Sequence, residues 1–220
     1  MAIGRTPHMR ATDPLEPTAD DWLGWTFTED RAIFNPAVGF AKEWDAMREP
    51  FVVVNIETTG LEPESSEIIE IAALLVDPSG TVWSEFSRLV KVASPVPDDV
   101  LKLIGITQEQ MALEGLPLAR VMKEYLAFVA LRPVFLQNAT VDLPFLRKAA
   151  ESIDQTFDDS VCDIDYMALM IWTEVQGRGF RALAAHVGAP QTRPRSIDDA
   201  KAALTVLLAA REAAFRQKWD

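Results

Sequence analysis

The chain has 220 residues, 49% of them hydrophobic, a net charge of −12 and a single cysteine. That length and apolar content suit one globular α/β domain with an appendage and leave too little chain for two full domains. One cysteine excludes an internal disulfide framework and a cysteine-based metal cluster within the chain. The acidic balance argues against broad electrostatic capture of duplex nucleic acid, which needs many cations on phosphates, but leaves room for a local phosphate track. No apolar run is long enough to span a bilayer and no secretory signal opens the chain, so the expectation is a soluble, cytoplasmic protein with no membrane partner.

Residues 1–20 are mixed, aperiodic and Pro-containing, and are expected to form a mobile tail that includes either an added leader or the native start. Residues 21–48 hold Trp22, Trp25, Phe27, Phe34, Phe40 and Trp44, too many aromatics for a disordered linker. Two readings fit this N-terminal arm: a segment packed on the main domain, or one that docks a protein partner through aromatic anchors. The main domain is expected over residues 49–220.

From Phe51 the pattern becomes regular. FVVVNI is β-branched without alternation, as in a central strand buried on both faces. EIIEIAALLVD predicts a second strand, Pro78 to Gly80 a tight turn, and TVWSEFSRLV a third strand returning antiparallel. Short helical pieces follow at Asp98–Leu103 and Gln108–Leu113, then a helix from Leu118 to about Leu131, a strand in PVFLQN, and a helix after Thr140. Further helices are expected near Ile164–Trp172 and Phe180–Val187, with a long one from Ser196 to about Arg216. Strands first and helices later imply a mixed sheet flanked by helices.

Asn55 and Glu57 are two apart on the first strand and share a face near its carboxyl end, where α/β sheets place their sites. A glutamate there is costly unless it is paired or bound to metal. Asp142 opens a helix after QNAT, and Asp199 lies in the first turn of the last helix. Each also has a purely structural explanation: SIDD fits a capping box, and acids favour helix N-termini.

In order along the chain, NIETTGLEP, EIIEIAALLVD, PVPDDVLKLIGIT, FLQNATVDLPFL and RSIDDAKAALTVL resemble the DEDDh exonucleases. This DnaQ-like family includes proofreading subunits of bacterial replicative polymerases. The resemblance covers about residues 50 to 212. It implies an RNase H-like fold with a five-stranded mixed sheet, and two-metal hydrolysis that removes nucleotides from a single-stranded 3′ end. The family's acids map onto Glu57, Asp142 and Asp199 as metal ligands. Thr58, Thr59 and Leu61 map onto residues that contact the terminal nucleotide, and Asn138 onto an Asn near the scissile end. Arg178, Arg181, Arg193 and Arg195 crowd the approach to Asp199, either as a solvated loop or as a phosphate track, with Arg195 a candidate substrate contact.

Two of the five catalytic positions depart from the family. The first-motif Asp is Asn55, and the general-base His is Pro194. His186 reads as an ordinary helix residue. In two-metal hydrolysis the cations stand about 3.5 to 4 Å apart, and the resemblance assigns their bridge to the first Asp. A neutral amide offers one oxygen and an NH₂ that cannot coordinate, so the resemblance implies one weakly bound Mg²⁺ or Mn²⁺, or none. Loss of the base removes a further factor on the order of 10² to 10⁴. An engineered trap would explain Asn55 but not Pro194. Two readings stay open: an exonuclease-type domain engaging single-stranded 3′ ends with impaired hydrolysis, and a non-catalytic scaffold or interaction module on the same fold.

Overall fold

The computed structural model describes residues 25–27, 32–93, 95–157, 161–175, 177, 179–190 and 195–216, and for residues 25–27 and 32–34 the backbone alone. The expected tail, together with Trp22, Arg178, Arg193 and Pro194, lies outside the described residues.

The chain opens with a two-stranded antiparallel pair, β1 (Trp25–Phe27) and β2 (Ala32–Phe34), then two short helices, α1 (Pro36–Gly39) and α2 (Ala41–Ala46). The main sheet follows with β3 (Phe51–Thr58), β4 (Ile68–Val76) and β5 (Val82–Leu89), then α3 (Asp98–Ile104), α4 (Gln108–Glu114) and α5 (Leu118–Val129). After these come β6 (Val134–Leu136), α6 (Ala139–Glu151), β7 (Val161–Asp163), α7 (Ile164–Ile171), α8 (Phe180–His186) and α9 (Ser196–Arg216). The strand order is β5-β4-β3-β6-β7. β3, β4 and β5 pair antiparallel, whereas β6 and β7 join parallel. This is the five-stranded mixed sheet of an RNase H-like fold.

Alternation along β3 divides the core. Phe51 and Val53 face a layer built from α7, α8 and α9, while Val52, Val54 and Ile56 face α5 and α6. Burial on both sides explains why β3 reads as a continuous apolar run. A third, smaller cluster packs α3 and α4 over Ile69 and Leu89. Gly105 ends α3 with φ 65°, a left-handed position that favours glycine, and so fixes where the α3 wall of the site stops. Among the described residues, no helix is long and apolar enough to cross a membrane.

The arm packs on the main domain where it is described in full. Phe40, Trp44 and Met47 are buried in the same cluster as α7 and α9. The Trp44 indole donates to the Pro36 carbonyl at 2.9 Å, and Phe40 meets Tyr166 edge-on. These rings are therefore spent on the core rather than offered to a partner. Trp44→Ala should lower unfolding free energy by about 3–5 kcal/mol, as expected for a large buried aromatic. Val38→Ala, at a half-exposed position, should change it by less than about 0.5 kcal/mol. Chemical denaturation of the two variants checks this, and equal midpoints would show that the arm is not part of the core.

Candidate functional site

Strand β3 carries Asn55 and Glu57 on the α9 side of the sheet, continuing the face that begins with Phe51 and Val53. Parallel pairing brings the end of β6 beside them, with the Gln137 N–H donating to the Val54 carbonyl at 3.3 Å. The Asn138 side chain then caps α6 by accepting from the Val141 N–H at 3.4 Å, which sets Asp142 in the first turn. Asp199 comes from the first turn of α9. Three acids from three elements thus line one cleft of about 890 Å³. Its walls add Leu61 and Leu103, both exposed, with Lys102 from α3 and Phe180 and Arg181 from α8.

Crowding of acids in a poorly hydrated place shifts their protonation. Burial, reinforced by the charges of Asp199 and Glu70, pushes Glu57 up to about 7, against a weaker opposing bond from the Asn55 amide. Burial also pushes Asp142 up to about 8, with the charges of Glu57, Asp163 and Asp165 adding to it. Asp165 rises to about 7 through burial and its neighbour Asp163. Tyr125 stands behind Asp142, its hydroxyl buried without a hydrogen-bond partner.

The start of α9 is tied to the sheet through a buried carboxylate. Glu70 on β4 has no exposure. Its Oε1 accepts from Arg195 Nη2 at 2.7 Å and Ser87 Oγ at 2.9 Å, and its Oε2 from Arg195 Nε at 3.1 Å and the Ser196 N–H at 3.3 Å. The Asp198 and Asp199 N–H groups donate to the Arg195 carbonyl. Ser196 therefore does not close the capping box that SIDD offers. Its hydroxyl donates to the Asn55 carbonyl at 2.7 Å instead.

The structure gathers Asn55, Glu57, Asp142, Asp199, Asn138 and Leu61 in the cleft. Thr58 and Thr59 shape the adjoining loop: the Thr58 hydroxyl donates to the Gly60 carbonyl and the Thr59 hydroxyl accepts from the Glu67 N–H. Arg195, expected at the substrate, is committed to Glu70. His186 packs on Trp172 and faces Glu174. Sequence reasoning missed Lys102, Leu103, Gln137 and Phe180, which carry no local signature. It also missed Glu70, although a lone acid inside an apolar strand is a signal for a buried charge that needs a partner.

Glu57, Asp142 and Asp199 supply the oxygen donors that Mg²⁺ or Mn²⁺ prefers. Among the described residues, however, no three His, Cys, Asp or Glu side chains stand close enough to hold a metal ion as placed. Asn55 turns its NH₂ toward Glu57 and Ser196. The donor set does not fit a cation bridged at position 55.

The family model described as Exonuclease, RNase_T, matches residues 52–207. The chain is 27% identical over 165 residues to PolC-type DNA polymerase III of Clostridium perfringens, covering 74% of this chain and 11% of that protein. It is 32% identical over 140 residues to the DNA polymerase III subunit epsilon-like protein of Rhodobacter capsulatus, covering 63% and 20%. The chain thus spans a fifth or less of these two curated relatives. Among solved structures, E. coli Exonuclease I in complex with a dA16 oligonucleotide superposes with TM-score 0.62 at 14% identity, over 76% of this chain and 42% of that one. A 3′-exonuclease described in 3′-end-specific recognition of the histone mRNA stem-loop gives 0.64 at 16%, over 77% and 65%. Identities this low establish the shared fold alone.

The raised carboxyls make the metal-free protein pH-sensitive. Because Glu57 and Asp142 hold their protons more tightly folded than unfolded, the stability they contribute is complete below about pH 4. It is lost as pH rises through about 7 for Glu57 and about 8 for Asp142. In chelator, melting temperature should therefore fall across this window, and Asp142→Asn should flatten the fall. Scanning fluorimetry of both proteins checks it, and parallel pH profiles would contradict it.

Proposed function

Because the chain belongs to the RNase_T exonuclease family, we propose that it is a 3′-5′ exonuclease-type domain that engages single-stranded 3′ ends and hydrolyses them poorly. The observation that carries this reading is the cleft itself, with its acids at the floor and mixed walls. Leu61, Leu103 and Phe180 offer apolar surface for unstacked bases, and Lys102 and Arg181 offer cations for phosphates. A duplex keeps its base faces stacked, so apolar walls of this kind suit a single strand.

The family is generally divalent-metal dependent, and a bound ion would supply an activated water and charge neutralisation at the scissile phosphate. Glu57, Asp142 and Asp199 are the residues that would hold one weakly bound Mg²⁺ or Mn²⁺, after drawing closer together than they stand here. Asn55 does not extend the site to a second ion. In that setting Asn138 and Gln137 orient the terminal nucleotide, and Leu61 separates it from the next base. The place of the family's base is Pro194, which has no proton to exchange.

The test is degradation and binding of labelled single-stranded DNA and RNA in Mg²⁺ and in Mn²⁺. The chain should bind a free 3′ end and shorten it slowly or not at all. Asn55→Asp combined with Pro194→His should gain markedly more 3′ to 5′ activity than either change alone, since the two positions serve one catalytic unit. Fast degradation by the unaltered chain would refute impaired hydrolysis. Absence of binding, with an inert double variant, would favour the non-catalytic scaffold.

A further inference from the structure

Asn55 and Ser196 stand 141 residues apart in sequence and close a ring of two hydrogen bonds. The Ser196 hydroxyl gives its one proton to the Asn55 carbonyl at 2.7 Å. The Asn55 side-chain atom lying 3.1 Å from the same Ser196 oxygen must then be the donor, which fixes the amide with its NH₂ toward α9. Both residues are buried, at 6% and 0% exposure. An ionised aspartate at 55 is nearly the same shape but brings only acceptors. The single Ser196 proton would have to choose between the carbonyl and the carboxylate, and the contact that lost it would set oxygen against oxygen in a buried place.

The same turn of α9 has a second anchor on the neighbouring strand. Arg195 and the Ser196 N–H both bind Glu70, so α9 begins pinned to β3 through Ser196 and to β4 through Glu70. Asp199 lies one turn further on and is positioned by this pair of anchors. Neither anchor uses a metal ion.

We propose that Asn55 and Ser196 form a clasp that keeps the cleft in its binding shape without a divalent cation, so that this chain holds single-stranded nucleic acid ends independently of metal. Position 55 thereby serves as a positioning residue, where the family resemblance assigns a metal ligand. The clasp stands on the hydrogen bonds alone; the metal-independent binding rests on the function proposed above.

Two measurements separate these halves. Thermal unfolding in EDTA compares the unaltered chain with Asn55→Asp, Ser196→Ala and the double variant. Each single change should lower the melting temperature, and the double variant should melt close to the worse single one, because both remove the same contact. Additive losses, or Ser196→Ala melting like the unaltered chain, would overturn the clasp. Ser196→Ala only removes an oxygen, so it remains readable even if Asn55→Asp does not fold. Fluorescence anisotropy with a 5′-labelled single-stranded oligonucleotide, in EDTA and in Mg²⁺ at matched ionic strength, tests the second half. Affinity of the unaltered chain should differ by less than about threefold between the buffers, and Ser196→Ala should lose about tenfold in EDTA. Binding that requires Mg²⁺ would overturn the proposal. Coupled melting with no binding in either buffer would refute nucleic-acid binding and leave the clasp as a purely structural device.

Discussion

Burying the Glu70 carboxylate near the start of β4 costs several kcal/mol unless donors meet its oxygens, and much of this chain's site geometry follows from how that demand is met. Four donors converge on it, two from the Arg195 guanidinium, one from the Ser196 backbone and one from the Ser87 hydroxyl. Two of these side chains and backbone groups belong to a segment 125 residues or more away in sequence. Satisfying the charge therefore fixes a long-range contact, and α9 can start in only one place. The helix then runs across β3 and β4, and its apolar face closes the core around Phe51, Val53 and Leu74. Asp199 inherits its position from Glu70 although the two play unlike parts.

A comparable device sets the opposite wall. Asp163, at the end of β7, accepts from the Ala139 N–H through one oxygen and from the Tyr166 N–H through the other. One carboxylate thus joins the starts of α6 and α7, where exposed N–H groups favour negative charge. Asp142 sits a turn into α6 and is held near Glu57 as a consequence. The cleft is assembled by buried or half-buried acids that are consumed in structure, which leaves Glu57, Asp142 and Asp199 to the site. Burial, reinforced by the charges of neighbouring acids, keeps Glu57 and Asp142 protonated to unusually high pH, and these anchors do not relieve it.

Much of this fold was legible because its signals are periodic. β3, β4 and β5, the helices from α3 to α6 and the long α9 fall within a few residues of where apolar spacing and turn residues place them. β7 was missed because VCD, unlike the equally short but wholly apolar VFL of β6, carries no strand signal, and it becomes a strand only through parallel pairing with β6. The helices of the arm were missed for a related reason: α1 and α2 are four and six residues long and gain stability from Phe40 and Trp44 in the core. At the site, Asn55, Glu57, Asp142 and Asp199 were found through motif order, whereas the partner of Arg195 was not. A guanidinium in an Arg-rich loop looks the same in sequence whether it meets a phosphate or Glu70, and only the fold brings β4 to it.

The amide at position 55 fits this electrostatic setting better than a carboxylate does while no cation is bound. Its nitrogen lies 3.5 Å from Glu57 Oε1, a carboxyl already raised to about 7 by burial and by Asp199 and Glu70. A second charge at that distance would raise the pair further, because two carboxylates sharing a site cannot both ionise cheaply. Asn55 removes that repulsion and adds a donor where Ser196 and Glu57 both present oxygen. An amide at 55, which offers a cation only one oxygen, thus settles the neighbouring acids without metal. One nitrogen in place of an oxygen thus bears both on the metal chemistry available at position 55 and on the contact between β3 and α9.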